Sequence, residues 1–253
     1  MPETGKAETT IENGIATITF FHPQSNSLPG TILRKLAFEV EAAGNNKDVK
    51  VIILKSEGEK AFCAGASFDE LISIKNLEEG KKFFSGFAAV INAMRKAPKF
   101  VIARVQGKAV GGGVGLACAA DYALAMDSAS VKLSELAVGI GPFVVGPAVE
   151  RKIGTSAFSQ LSIDATEWQS AQWAKGKGLY AEIFSSVEEL DKAVMALANK
   201  LAASNPEAMS ELKKVFWKGT DHWDTLLIER AEISGRLVLS EFTKKAIEGF
   251  NSK

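Results

Sequence analysis

The sequence predicts an α/β fold followed by a helical region, and three observations carry that prediction. Two nearly continuous apolar runs, VKVIILK and FVIARV, have the length and β-branched content of strands buried on both faces of a parallel sheet. Amphipathic helical stretches separate the strand-like runs, the alternation that βα units require. From Phe143 onward the pattern becomes mostly helical.

Taken in order, TTIENGIATITFF alternates β-branched residues and is broken by Glu12-Asn13-Gly14, which predicts a hairpin with an Asn-Gly turn. In LPGTILRKLAFEVEAAG, Ile32, Leu36 and Val40 share one helical stripe, and Gly44 is the expected stop. VKVIILK is the next strand. EEGKKFFSGFAAVINAMRKA then places Phe83, Phe87, Val90, Ile91 and Met94 on one helical face. FVIARV follows and runs directly into GKAVGGG. After Asp121, YALAM and SVKLS predict short strands.

In the second half AEIFSS is one short strand-like piece, and Val187, Leu190, Val194, Leu197 and Leu201 mark a helix. Asn205-Pro206 starts the next helix, and one long C-terminal helix is expected from near His222 to GFNSK. No internal repeat, low-complexity tract or charge run interrupts this plan. The predicted division is a core over residues 1–195 and a C-terminal helical region over 196–253.

Composition narrows the function classes. Lys and Arg total 30 and Asp and Glu total 30, so no net field draws the chain to nucleic acid or an anionic membrane. The two cysteines, Cys63 and Cys118, have no metal-ligand spacing, and no metal site is expected. MPETGKAETT has neither an apolar signal core nor an Arg-rich transit pattern, and no apolar run approaches the ~20 residues of a membrane span. A cytoplasmic protein is expected.

The chemistry concentrates in GKAVGGGVGLACAADY, residues 107–122, with four glycines between Gly111 and Gly115. Glycine costs a helix interior roughly 1 kcal/mol relative to alanine. Such a run therefore needs either an unusual backbone conformation or a close approach to the main chain. It is not a dinucleotide fingerprint, because Leu116 stands where GxGxxG needs glycine, and no GK[ST] completes a P-loop. The histidines, His22 and His222, sit in no nucleophile motif, and GxSxG is absent.

Two small-residue turns remain. EKAFCAGASFDEL follows VIILK, and VQGKAVGGGVGLA follows FVIARV. Loops at the carboxyl ends of adjacent parallel strands converge on one crevice. Backbone N–H groups from two such loops can meet on a single oxygen.

FCAGASFDEL, VQGKAVGGGVGLACAADY and LSELAVGIGP, in this order, resemble the crotonase superfamily of enoyl-CoA hydratases and isomerases. The resemblance runs from ENGIATITF to IERAEISGRLVLSEFTKKAIEGF. It implies a repeated ββα spiral core, with C-terminal helices that build homotrimers or hexamers made as dimers of trimers. It also implies an acyl-CoA substrate and no separate cofactor, since CoA enters as part of the thioester. The motifs assign the two enolate-stabilising N–H groups to Ala66 and Gly112. Ala64, Ser67, Phe68, Asp69 and Gly111 would line the CoA and pantetheine channel, with Leu71 and Phe143 on the acyl pocket. In this reading the glycines let the thioester oxygen lie against the main chain.

Resembling hydratases carry two glutamates flanking a water. Here the second is Glu135, while Gly115 occupies the first position. That departure, with Pro142-Phe143 after the Glu135 motif, resembles the Δ3,Δ2-enoyl-CoA isomerases, in which one carboxylate moves a proton from C2 to C4. A second departure is Ser67, where relatives commonly have aspartate. The alternatives are a hydratase drawing its other acid from Glu167, Glu70 or Asp69, and a catalytically silent acyl-CoA-binding or assembly protein. RNA binding has little support, because no basic stretch interleaved with aromatics exists. Gly115→Glu is expected to raise hydration where its carboxylate fits.

Overall fold

Asn13 and Gly14 both take left-handed backbone (φ +50° and +79°), as a two-residue primed turn demands. In the structure, a computed structural model that describes residues 5–251, they join strands β1 (Lys6–Glu12) and β2 (Ile15–Phe21), which pair antiparallel with Glu12 opposite Ile15. The expected hairpin forms as read.

Four strand–strand–helix units follow. Strand β2 leads to the short β3 (Ser27–Leu28) and helix α1 (Gly30–Asn45). The second unit is β4 (Val51–Ser56), β5 (Ala61–Cys63), β6 (Gly65–Ala66), α2 (Phe68–Ser73) and α3 (Leu77–Lys96). The third is β7 (Phe100–Val105), β8 (Lys108–Val110) and α4 (Gly112–Ala119). The fourth is β9 (Tyr122–Met126), β10 (Val131–Lys132), a 3-10 turn at Glu135–Val138 and α5 (Gly146–Ile163). After these come α6 (Ala171–Gly176), β11 (Glu182–Phe184), α7 (Val187–Ala202), α8 (Pro206–Phe216), α9 (Trp223–Leu237) and α10 (Glu241–Asn251).

The first strands of the units lie side by side in a six-stranded sheet, ordered β1-β2-β4-β7-β9-β11 and parallel beyond β2. The second strands of the last three units form a smaller parallel sheet, β10-β8-β5, while β3 pairs with β6. This is the ββα spiral core. It explains why VIILK and FVIARV read as apolar runs, since β7 is buried at every residue and β4 at all but Lys55. It also brings the segments leaving β5, β8 and β10 out beside one another.

The C-terminal helix expected from one continuous pattern is two helices. Helix α9 ends at Leu237 and α10 begins at Glu241, with Ser240 Oγ accepting from Thr243 N–H across the break. Residues 252–253 of GFNSK and the first four residues lie outside those described. The division expected at 195 falls within α7, which packs on the large sheet, and α9 lies along α3. That last contact is close. A Cβ on Gly80 would lie 2.8 Å from Gly235 Cα, and one on Gly235 would lie 2.7 Å from Lys81 N.

Asp121, at the end of the glycine-run motif, ties α8 to the sheet. It accepts hydrogen bonds from Val101 N–H at 2.8 Å, Trp217 Nε1 at 2.8 Å and Lys213 Nζ at 2.5 Å. The Lys213 and Asp121 side chains are 3% and 6% exposed, so removing the charge from either leaves the other poorly solvated. Asp121→Asn is expected to lower stability by about 2–3 kcal/mol, read as a shifted denaturant midpoint with an unchanged slope. An unshifted midpoint would show that the pair adds nothing to the fold.

Candidate active site

The segment leaving β5 crosses the start of α4. Gly65 takes left-handed backbone (φ +94°), and a Cβ there would lie 3.2 Å from Val110 O and 3.7 Å from Gly112 N. Ser67 N–H donates to Leu28 O at 2.9 Å, and Ser27 Oγ donates to Ala66 O at 2.9 Å. Successive amides of a strand point to opposite edges, so the Ala66 N–H faces away from β3. Gly112 is the first residue of α4, and its N–H has no carbonyl one helical turn earlier to accept it. The helix N-terminus adds positive potential there.

The four glycines meet different neighbours, which gives most of the run a packing reason beside the expected close approach of a thioester oxygen. A Cβ on Gly112 would lie 2.2 Å from Phe87 Cζ, one on Gly113 2.3 Å from Cys63 O, and one on Gly115 2.5 Å from Val145 Cγ1. Those three make room for protein: a phenyl ring of α3, the backbone of β5 and the start of α5. Gly111 alone faces the acid. It is left-handed (φ +52°), and a Cβ on it would sit 2.9 Å from Glu135 Oε1.

Glu135 opens the 3-10 turn that follows β10. The turn is closed by Ile140 N–H donating to Glu135 O at 3.0 Å, and Gly139 leaves it with left-handed backbone (φ +79°). Thr243 Oγ1 of α10 donates to Gly139 O at 3.2 Å. The residue as a whole is half-buried, but its Oε2 is buried and has no hydrogen-bond partner. With water removed and no cation to compensate, burial pushes the carboxyl up to about 7. An acid held near neutrality can both take and give a proton.

These groups open onto one cavity of about 530 Å³. The structure places Ala64, Ala66, Phe68, Asp69, Leu71, Gly111, Gly112, Glu135 and Phe143 along it. Ser67 does not line it. That side chain is 4% exposed and caps α2 by accepting from Glu70 N–H at 3.3 Å, so the helix cap takes the oxygen that the channel was expected to use. Among the other acids considered, Asp69 lines the cavity and accepts from Gln24 Nε2, whereas Glu70 turns to Gly30 N–H at 2.8 Å. Glu167 is not among the lining residues.

Helical periodicity marks Phe83 and Phe87 only as members of one apolar stripe and gives Phe84 no role. Phe83, Phe84 and Phe87 of α3 form an aromatic wall, with the first two rings edge to face at 5.0 Å. Ser234 reaches the cavity from α9, and no sequence signal marks it. Cys63 and Cys118 are buried, and burial pushes both thiols up to about 12, which leaves them unreactive. Among the described residues no cluster of three or more His, Cys, Asp or Glu could hold a metal. No helix among them is long and apolar enough to cross a membrane.

The family model described as enoyl-CoA hydratase/isomerase matches residues 10–251. A Bacillus subtilis protein named as a probable enoyl-CoA hydratase is 28% identical over 245 residues, covering 96% of this chain and 94% of its own. A peroxisomal Delta(3,5)-Delta(2,4)-dienoyl-CoA isomerase from Arabidopsis thaliana is 29% identical over 191 residues, covering 70% of this chain and 67% of its own. The fold is similar to that of the enoyl-CoA hydratase from Bacillus halodurans, with a TM-score of 0.88 at 23% identity, covering 96% and 99% of the two chains.

Proposed function

Because the chain belongs to the enoyl-CoA hydratase/isomerase family, we propose that it shifts a double bond in an enoyl-CoA thioester, with Glu135 as the single proton carrier. The observation that carries this reading is one buried, unpaired carboxylate near neutrality beside the first turn of α4. The second acid of a two-glutamate site is missing at Gly115, and the space there is filled by Val145.

In the proposed reaction the thioester oxygen sits between the N–H groups of Ala66 and Gly112. The Glu135 carboxylate removes a proton from C2 of a 3-enoyl thioester. The C–H electron pair becomes the C1–C2 π bond of a dienolate, whose negative charge rests on the oxygen held by the two amides. The protonated Glu135 then delivers the proton to C4. The C3–C4 π pair takes that proton, the C1–C2 pair shifts to form the C2–C3 double bond, electrons return from the oxygen to C1, and the carboxylate is regenerated. One group suffices because removal and return occur on the same side of the acyl chain. CoA enters and leaves as part of the thioester, so the proposed step uses no separate cofactor.

The test is a comparison of pure enzyme on 3-enoyl-CoA and 2-enoyl-CoA. Conversion of the first to 2-enoyl-CoA is expected to exceed hydration of the second by at least tenfold, and faster hydration would overturn the reading. Hydration is the second reading. Asp69 supports it, as the other carboxylate on the cavity, and Asp69→Asn would then abolish water addition.

A pH dependence follows from the buried acid. Only ionised Glu135 can accept the C2 proton, so kcat/KM for 3-enoyl-CoA is expected to rise about tenfold per pH unit below neutrality. It should level off above an apparent pKa near 7, because burial has raised the carboxyl to about 7. A flat profile between pH 5 and 8 would remove Glu135 from the proton-transfer step.

A further inference from the structure

The polar side chains on the cavity are mostly accounted for. Gln24 and Asp69 bond to each other, Ser27 bonds to Ala66 O, Ser134 is only half-buried, and Glu135 is the proposed proton carrier. Ser234 is different. It is 1% exposed, lines the same cavity as Phe83, Phe84 and Phe87, and its hydroxyl makes none of the side-chain hydrogen bonds found among the described residues. Its place is fixed from outside the site. The backbone contact of Gly235 with Gly80 presses α9 onto α3 at the adjacent residue, which holds Ser234 at the cavity wall.

A hydroxyl with almost no access to water and no protein partner keeps an open hydrogen-bonding capacity. In a pocket walled in part by phenyl rings, such a group marks where a ligand atom can supply a hydrogen bond. We propose that Ser234 is a specificity-determining residue that hydrogen-bonds a neutral oxygen, a hydroxyl or a ketone, on the acyl chain beyond the carbons between which the proton moves. The oxygen is neutral because the cavity lining holds no Lys or Arg. A carboxylate tail would be buried there uncompensated, facing Glu135 and Asp69 in the same lining. The preferred substrates are then oxygenated acyl-CoA thioesters rather than plain hydrocarbon ones. This inference rests on the acyl-CoA reading given above.

The test uses saturated, unreactive acyl-CoA thioesters, so that binding is read without turnover. A plain saturated acyl-CoA is compared by calorimetry with analogues of the same length carrying one hydroxyl, moved stepwise from C5 to the chain end. At one position the hydroxylated chain is expected to bind about fivefold to tenfold tighter than its plain parent, as one net hydrogen bond allows. In Ser234→Ala and the near-isosteric Ser234→Cys, the ratio of the two dissociation constants should fall to about one or below. The inference is overturned if no hydroxylated chain outbinds its parent, or if the preference survives in both variants, since Ser234 is then only a small residue at a helix crossing. Failure of every thioester to bind the unmodified protein would instead overturn the acyl-CoA reading itself.

Discussion

Glu135→Gln is expected to lower kcat for double-bond migration by about 10²- to 10⁴-fold, the range that a positioned acid–base group supplies. Acyl-CoA should still bind, because the substitution keeps the size of the side chain and leaves both amide donors in place. The readouts are single-turnover rates with 3-enoyl-CoA and the dissociation constant of a saturated analogue. A control is built into the protein. Burial has raised the carboxyl from an ordinary 4.5 to about 7, so between those values the folded chain holds a proton that the unfolded chain has released. Stability therefore falls as pH rises through that window, and the deficit is complete above it. The glutamine variant lacks this deficit and should be more stable at pH 8, by up to about 2–3 kcal/mol. A variant that loses activity and gains stability cannot owe its loss to unfolding. A variant that keeps most of its kcat would remove Glu135 from the mechanism.

Gly115→Glu is expected to fail as a way of adding hydration, and to fail by breaking the fold. A Cβ at this position would lie 2.5 Å from Val145 Cγ1 and 2.8 Å from Val145 Cβ, and Gly115 is itself fully buried. The side chain must displace the start of α5 and carry a carboxylate into packed apolar surroundings with no cation. Overpacking and an unpaired buried charge together should cost more than about 5 kcal/mol. Insoluble protein, or a Tm lowered by more than ten degrees, is the expected result. Folded Gly115→Glu protein with a near-normal Tm would show that the α4–α5 contact yields. Any rise in its hydration rate would then restore the simple two-acid account.

Much of the architecture was legible because it is written in local patterns. The Asn13-Gly14 turn, the buried runs of β4 and β7, and the Asn205-Pro206 start of α8 each follow from a few adjacent residues. The gathering of Ala66, Gly112 and Glu135 on one cavity was legible through motif resemblance. What was missed depends on contacts between distant segments. Ser67 departs from the family motif in sequence, and only the fold shows that its oxygen serves a helix cap. The glycines of α4 look alike until Phe87, Cys63 and Val145 are placed against three of them. The break between α9 and α10 carries no proline or glycine, and Ser240 alone is a weak signal for it. Ser234 reaches the site through a crossing of two glycines 155 positions apart in Gly80 and Gly235, beyond the range of any periodicity.

The 3-10 turn that carries Glu135 does not stand alone. Its exit residue, Gly139, is gripped by Thr243 of α10, and a Cβ on Gly139 would lie 2.6 Å from the Phe242 ring. The last helix of the chain and the proton carrier are therefore thermodynamically coupled through a single turn. Coupling of this kind is reciprocal. Whatever steadies α10 narrows the positions that the carboxylate can occupy, and a thioester that clamps the carboxylate must in the same measure hold α10 down. Fraying at the C-terminus becomes an observable of the active site, and hydrogen exchange in α10 should slow when the cavity is filled.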